Sequence, residues 1–417
     1  MPCPLNRRLT RDLESSRPAL SPWISGRDVQ PAASQANVDR IRAWLTTCIR
    51  DHSHCRHTIS GSVVDDRTAA QPLPSRLIEV TPTPRLRDTA GQTGQYFALS
   101  YCWGDPGGNT MTKRATLPAF RKQLPLDRLS RTVREAIELV RRLGFRYLWV
   151  DALCIVQDDK DEWDRESRRM ASVYENALAT VVALGADHAG EGLFLSGNEP
   201  PPASPLRTAV LPCVPSKGGV VGYVSLRVWP PEEQLRVKND HFRSRWASRG
   251  WVFQERVLSR RMVYFGRWQV SGTCSQEVWY EDGIRYGLSG SVLNRYHLQY
   301  FFRNLRIGSS LSRFLPRQWK AWKILSARHE NLPPQALWQR VLRDYNTCEL
   351  SVPSDKLMAV EGLATAFASV TGMTYFAGIW LEEPWVGLAW KTNRLRSKMV
   401  PDRGKKSLSS GASGTEG

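Results

Sequence analysis

Polar and aromatic side chains that could do chemistry follow or interrupt three apolar runs of the chain. The first run, residues 96–99, is followed by Ser100, Tyr101, Trp103, Gly104 and Asp105; the second, residues 147–155, contains Asp151; the third block, residues 249–255, carries Trp251, Gln254 and Glu255. A buried parallel strand presents such side chains at its carboxyl end, where the strands of one sheet share an edge. We therefore expect these residues to form one site.

Two carboxylates of this set are candidates for function. Asp151 lies among apolar neighbours, where an unpaired charge is costly, so it either accepts backbone N–H bonds in a turn or has a role at the site. Glu255 is either a surface carboxylate paired with an arginine, worth about 0–1 kcal/mol, or a carboxylate in a cleft walled by Trp103 and Trp251. In such a cleft it could stabilise an oxocarbenium-like transition state, as in glycosidic cleavage. The sequence leaves both pairs of alternatives open.

A second group of chemically active side chains lies between residues 48 and 57, namely Cys48, His52, His54, Cys55 and His57. Cys48 and His52 would share one helix face. However, the spacing matches no familiar zinc module, and we interpret the segment as a helix end with polar neighbours. We expect no metal and no required cofactor, and a zinc site is the alternative.

Composition and missing motifs exclude several classes of protein. The 417 residues contain no P-loop, dinucleotide-binding glycine pattern, H-E-x-x-H or G-x-S-x-G motif. The net charge of +18 favours anionic partners, but the basic residues are spread along the chain. Nucleic-acid binding, for example through the basic region 296–345, is therefore not expected. With no apolar run of about 20 residues and no secretory leader, we expect a cytoplasmic protein without a membrane span.

The elements that must position these residues alternate between strand and helix. Strands are predicted at 96–101, 147–155 and 179–184, with helices at 132–143 and 159–177 between them, which favours a parallel sheet flanked by helices. Thr132 with Glu135 predicts a capping box, Gly144 a helix end, and Asp159 and Ser354 further helix caps. We divide the chain into a disordered N-terminus (1–35), a lead-in of helix plus strand (36–95), a core (96–258), a mostly helical accessory region (259–390) and a disordered tail (391–417).

The three blocks resemble the heterokaryon incompatibility (HET) domain of filamentous fungi, whose hallmarks are SYxWG, WxDxLCIxQ and WxxQE. The chain has Ser-Tyr-Cys-Trp-Gly at residues 100–104, Trp-Val-Asp-Ala-Leu-Cys-Ile-Val-Gln at 149–157 and Trp-Val-Phe-Gln-Glu at 251–255. The resemblance extends to the helical block at 170–177 and covers roughly residues 96–258. Two departures are Val156 in place of a polar residue and the absence of a further Trp- and Ser-rich segment that we would expect after residue 390.

The resemblance implies a part in fungal non-self recognition, where incompatible fusions trigger programmed cell death. HET domains are similar to TIR domains, which are flavodoxin-like and in several lineages cleave NAD with a glutamate on a helix bearing a W-x-x-x-E pattern. Trp251 and Glu255 have that spacing, so Glu255 is the expected catalytic residue and NAD the expected substrate. Self-association or other incompatibility proteins are the expected partners. The alternative is a non-enzymatic interaction module of the same family.

Overall fold

The structure is a computed structural model that describes residues 8–10, 29–60, 62–64, 66, 71–104, 109–195, 208–213, 222–227, 244–283, 285–287, 334–382 and 384–385. The candidate site residue Asp105 lies outside the described residues. So do most of the predicted N-terminal disordered segment, most of the region 296–345, and the predicted tail 391–417.

The described strands are β1 (Arg8–Thr10), β2 (Gln71–Pro72), β3 (Arg76–Glu79), β4 (Arg85–Asp88), β5 (Thr93–Gly94), β6 (Phe97–Ser100), β7 (Tyr147–Trp149), β8 (Ala179–Val182), β9 (Thr208–Cys213), β10 (Gly222–Arg227), β11 (Arg261–Phe265), β12 (Val270–Cys274), β13 (Glu277–Tyr280), β14 (Arg285–Gly287), β15 (Tyr375–Phe376) and β16 (Ile379–Trp380).

The described helices are α1 (Gln35–Asp51), α2 (Leu117–Lys122), α3 (Arg131–Leu143), α4 (Asp151–Cys154), α5 (Lys160–Asn176), α6 (Gly250–Leu258), α7 (Pro334–Tyr345) and α8 (Met358–Thr371). Short 3-10 turns occupy Ser53–Arg56, Trp246–Ser248 and Pro353–Lys356.

Among the described residues, one mixed sheet of nine strands has the order β14-β13-β12-β11-β8-β6-β7-β3-β4. Its central strands β11, β8, β6 and β7 run parallel, whereas every other neighbouring pair is antiparallel. The prediction of a parallel sheet is therefore right for the centre and wrong at both ends. Short connections join β3 to β4, and β11 through β14 in sequence, and a short connection permits only antiparallel pairing. Strand β3 also pairs antiparallel with β7, although a long stretch of chain separates these two strands.

The central strands are short apolar runs because the sheet is covered on both faces there. All residues of β6, β8 and β11 are buried, which is the pattern of a strand with no solvent-facing side. Around the sheet, α1 packs on α3, and α5, α6 and α8 pack on one another. Among the described residues no helix combines the length and the apolar character needed to cross a membrane.

Local signals placed some helix ends correctly. Helix α5 begins at the predicted cap, where Asp159 accepts a hydrogen bond from the Glu162 backbone N–H at 3.0 Å. Helix α3 ends at the predicted Gly144, which adopts a left-handed φ of 87° that glycine tolerates best. These two boundaries depend on contacts within one turn of chain, which the sequence displays directly.

Three predicted boundaries are wrong. Strand β7 stops at Trp149 and α4 follows, because the Asp151 carboxylate accepts the Ala152 N–H at 2.7 Å and starts a helical turn. Helix α3 begins after Ser130, whose side chain makes no capping hydrogen bond, and Glu135 accepts the N–H groups of Leu193 and Phe194 at 2.6 and 2.8 Å instead of capping the helix. Helix α8 begins only at Met358, since a 3-10 turn precedes it.

Candidate functional site

The candidate site lies where β6 and β7 end. These strands are parallel neighbours, so their carboxyl ends share one edge, and Ser100 and Asp151 stand at or just beyond those ends. The segment from the 3-10 turn at Trp246 through α6 brings Glu255 to the same edge. This is the edge at which open α/β sheets place their ligands.

Glu255 is bound into a buried polar network. The Ser100 hydroxyl donates a hydrogen bond to a Glu255 carboxylate oxygen. The same hydroxyl accepts the indole N–H of Trp246 at 2.6 Å, so its proton is directed at the carboxylate. The Tyr174 phenol of α5, which donates to the Leu99 backbone carbonyl at 3.3 Å, also lies beside the Glu255 carboxylate. Glu255 is only 4% exposed and Ser100 and Trp246 are more deeply buried still.

This environment favours the protonated form of Glu255. Burial is the main cause that raises the pKa of its carboxyl from an ordinary 4.5 to about 7, and the nearby Asp151 charge acts in the same direction. The positive charge of Arg249, the hydrogen bond from Ser100 and the nearby Tyr174 phenol pull the pKa down, but less strongly. A pKa near neutral pH is a value that suits a catalytic carboxyl group.

Arg249 links the network to the end of β6. Its guanidinium donates to the Tyr101 backbone carbonyl, one residue past Ser100. From there its charge lowers the pKa of both Glu255 and Asp151. Arg249 thus supplies the positive charge that both site carboxylates share.

Asp151 takes part as an oriented acceptor. One carboxylate oxygen accepts the Trp103 indole N–H at 2.9 Å and the other accepts the Ala152 N–H at 2.7 Å. Burial raises the pKa of the Asp151 carboxyl, and Arg249 and these donors oppose the rise. The Tyr101 phenol, which accepts the Asn109 amide at 2.7 Å, also hydrogen-bonds Asp151. Asp151 therefore fixes the positions of Trp103 and Tyr101.

Gly104 is at a position that other residues would not fit. Its φ of 84° is left-handed, and a Cβ there would lie 2.6 Å from His188 Cβ. The glycine of the Ser-Tyr-Cys-Trp-Gly block thus lets the chain leave β6 beside the loop that carries His188.

Trp251 and Gln254 make their hydrogen bonds to the C-terminal segment. The Trp251 indole donates to Asp355 at 3.3 Å, and the Gln254 side-chain oxygen accepts the Gly362 N–H of α8 at 3.1 Å. The structure therefore brings Ser100, Tyr101, Trp103, Asp151 and Glu255 together, whereas Trp251 and Gln254 hold α6 against α8.

Sequence reasoning did not assign Trp246, Arg249 or Tyr174 to the site. Tyr174 lies in the helical block at 170–177, and Arg249 directly precedes the Trp-x-x-x-Glu pattern, but neither spacing indicates that the side chain reaches Glu255. Only the packing of α5 and the 3-10 turn against β6 does so.

Away from this edge, the predicted helix-end cluster gains a fourth member from a distant strand. Cys48, His52 and Cys55 meet Cys274 of β12, with one ligand atom of each within 4.8 Å of the others. His54 and His57 are not part of this set.

The site lies within a stretch of the chain that matches the sequence model of a described family. Residues 96–255 match the sequence model of the family described as "Heterokaryon incompatibility protein (HET)". A similar protein is "Heterokaryon incompatibility protein 6, OR allele" of Neurospora crassa, 37% identical over 98 residues. That match covers 22% of this chain and 14% of the relative, so the chain spans only a small part of the relative's length. No solved structure matches the chain.

Proposed function

We propose, from the premise that residues 96–255 are a heterokaryon incompatibility (HET) domain, that this protein acts in fungal non-self recognition and programmed cell death. The family match and the relative's printed name support the incompatibility role. The proposed place of action is the cytoplasm, where fused cells mix their contents.

The proposed chemistry is cleavage of the bond between nicotinamide and ribose in NAD. One observation carries it, namely a carboxylate at the sheet edge whose pKa is raised to about 7. Ionised Glu255 would stabilise the positive charge that develops on the ribose ring as nicotinamide leaves, and a water molecule would then bond to the ribose carbon and release a proton. Trp103, held by Asp151, would stack on a ring of the substrate. Four parallel strands at the centre of the sheet also support a TIR-like core.

The reaction requires the site to open, because Glu255 is 4% exposed. The groups that cover the carboxylate are Ser100 of β6 and Trp246 of the 3-10 turn, and they belong to different elements. A movement of α6 away from β6 would uncover Glu255. We propose that self-association of the protein drives this movement.

A second candidate function is a non-enzymatic interaction module, and the same burial favours it. A carboxylate with satisfied hydrogen bonds inside the protein is also what a structural polar network looks like. In that case Glu255 holds β6, α5 and α6 together, and surface residues contact the partner.

NAD consumption and nicotinamide release by the purified full chain at high concentration distinguish the two. We expect Glu255→Gln to lower the rate by about 100-fold or more, with an unchanged circular dichroism spectrum. Glu138→Gln, a change on the exposed face of α3, is the matched control and should leave the rate unaltered. A folded wild-type protein that leaves NAD intact even under crowding, with cell toxicity unaffected by Glu255→Gln, would refute the enzymatic function and leave the interaction module.

A further inference from the structure

Three thiols and an imidazole converge outside the HET match. Cys48 lies at the start of the last turn of α1, His52 is the C-cap of that helix, Cys55 lies in the following 3-10 turn, and Cys274 ends β12. One ligand atom from each lies within 4.8 Å of every other. The Nδ1 atom of His52 lies 3.3 Å from the Cys274 sulfur, so this ring nitrogen faces the thiols. All three cysteines are buried.

These distances suit a tetrahedral metal site. With Zn–S bonds of about 2.3 Å and a Zn–N bond of about 2.0 Å, ligand atoms around zinc lie about 3.5–3.8 Å apart. The observed cluster needs only small side-chain adjustments to reach that arrangement. Three cysteines and one histidine are a known structural zinc set, and thiolate with imidazole selects zinc over calcium or magnesium.

We propose that Cys48, His52, Cys55 and Cys274 bind one structural zinc ion. Four protein ligands leave no position for water or substrate, so the ion has a structural role. The proposal does not depend on NAD cleavage or on any other activity of the HET domain.

The charges beside the cluster support a metal site. The buried side chains of Arg260 and Arg261 both contact Asp66, at 2.6 and 2.8 Å, so two positive charges face one negative charge. A zinc ion with three thiolates and a neutral histidine carries one net negative charge. It would balance the excess positive charge, which would otherwise be costly in the interior.

Hydrogen bonds to the sulfur atoms have the pattern of an outer shell around thiolate ligands. The Arg261 Nε–H donates to the Cys48 sulfur at 3.0 Å, and the Gln276 backbone N–H donates to the Cys274 sulfur at 3.5 Å. Such donors stabilise thiolates and orient them toward a metal. Cysteines that serve only as small apolar side chains have no need of a guanidinium partner.

A zinc ion here would join the two flanks of the HET domain. Three ligands precede residue 96 and the fourth follows residue 255, so the ion links the lead-in to the sheet strands beyond the core. The spacing C-x3-H-x2-C was visible in the sequence, but the fourth ligand lies more than two hundred residues away, and only the fold brings it in.

The test is metal analysis of the full chain, purified from zinc-supplemented cells without chelator. We expect about one zinc per chain, and X-ray absorption with about three Zn–S distances near 2.3 Å and one Zn–N distance near 2.0 Å. A strong chelator should lower the Tm by about 5 °C or more. A metal-free wild-type protein, a shell of oxygen ligands, or a disulfide joining two of the three cysteines would overturn the proposal.

Variants then assign the ligands. Cys274→Ser should lose the zinc, whereas Cys154→Ser should retain it. Cys154 is the matched control, because it is equally buried, lies outside the cluster and accepts a backbone N–H that a serine can also accept. Full zinc content in folded Cys274→Ser would remove this residue from the site and refute the four-ligand set. If Cys274→Ser does not fold, the X-ray absorption spectrum of the wild-type protein still decides whether three sulfur atoms and one nitrogen atom bind the zinc.

Discussion

The ionisation of Glu255 makes the stability of the protein depend on pH. Its pKa is about 7 in the folded protein and near 4.5 ordinarily, so the folded state binds this proton more tightly than the unfolded chain. The contribution to stability is therefore fully present below about pH 4.5 and is lost as the pH rises to about 7. Above that range the folded protein holds a buried carboxylate charge.

Glu255→Gln should remove this pH dependence, because a carboxamide does not ionise. We compare the free energy of unfolding of the variant with that of the wild type. The difference between them should shift in favour of the variant by up to about 3 kcal/mol as the pH rises from 4.5 to 8. Urea denaturation of both proteins across this range measures the difference. If the free energies of unfolding of the wild type and the variant changed in parallel over this pH range, Glu255 would have an ordinary pKa in the folded protein.

Ser100→Ala is expected to destabilise the protein by about 2–4 kcal/mol, since it leaves two buried partners without a hydrogen bond. The Glu255 carboxylate loses a donor and the Trp246 indole loses its acceptor. Ser271→Ala, at a buried serine of β12, is the comparison, and denaturant midpoints give the difference. Equal losses in the two variants would mean that the network adds no stability of its own.

At the scale of single residues, the sequence indicated the Glu255 carboxylate but not the side chains around it. Ser100, Asp151 and Glu255 could be chosen because each follows or interrupts an apolar run. Trp246 and Arg249 could not, because the 3-10 turn that begins at Trp246 and the Arg249 that follows it contact β6 only through tertiary packing. The raised pKa of Glu255 is likewise a result of burial, which spacing does not reveal.

At the scale of elements, Gly362 is the point where three helices meet. A Cβ on this α8 residue would lie 2.3 Å from Ala171 Cβ of α5 and 2.7 Å from Gln254 Oε1 of α6. The absence of a side chain lets α8 approach closely enough for the Gly362 N–H to reach Gln254.

Gly362→Ala should therefore destabilise the protein by about 1–3 kcal/mol by overpacking. At a solvent-exposed position inside a helix, a change from glycine to alanine would stabilise the protein by up to about 1 kcal/mol. The two expectations therefore differ in sign. Thr365→Ala, at an exposed position of α8, is the control and should stay within about 0.5 kcal/mol of the wild type. A higher Tm for Gly362→Ala would show that α8 does not pack as described.

The elements themselves were predictable where their signals are local. Asp159 and Gly144 set helix ends through contacts within one turn. The antiparallel strands at the sheet ends were less predictable, because β4 and β12 have weak apolar patterns and take their places by pairing with neighbours. The division at residues 95 and 258 remains a prediction, and the sheet runs across both boundaries.

At the scale of the whole molecule, the continuous sheet predicts cooperative unfolding. Strands from the lead-in, the core and the accessory region pair side by side, so β3 and β11 cannot open without exposing β7 and β8. Native-state hydrogen exchange should give β3, β6, β8 and β11 opening free energies within about 1 kcal/mol of one another. Exchange of β11 and β12 at much lower free energy would indicate that the accessory region unfolds by itself.

The same sheet has a consequence for genetics. A premature stop codon just after codon 255 leaves every residue of the HET match translated, yet removes β11 to β14 and uncovers β8 as a bare edge. Such an allele should behave as a loss-of-function mutation with an aggregating product. If the protein acts in incompatibility as proposed, screens for strains that have lost incompatibility should recover nonsense alleles well beyond codon 255, and a truncated allele that kept its activity would contradict this.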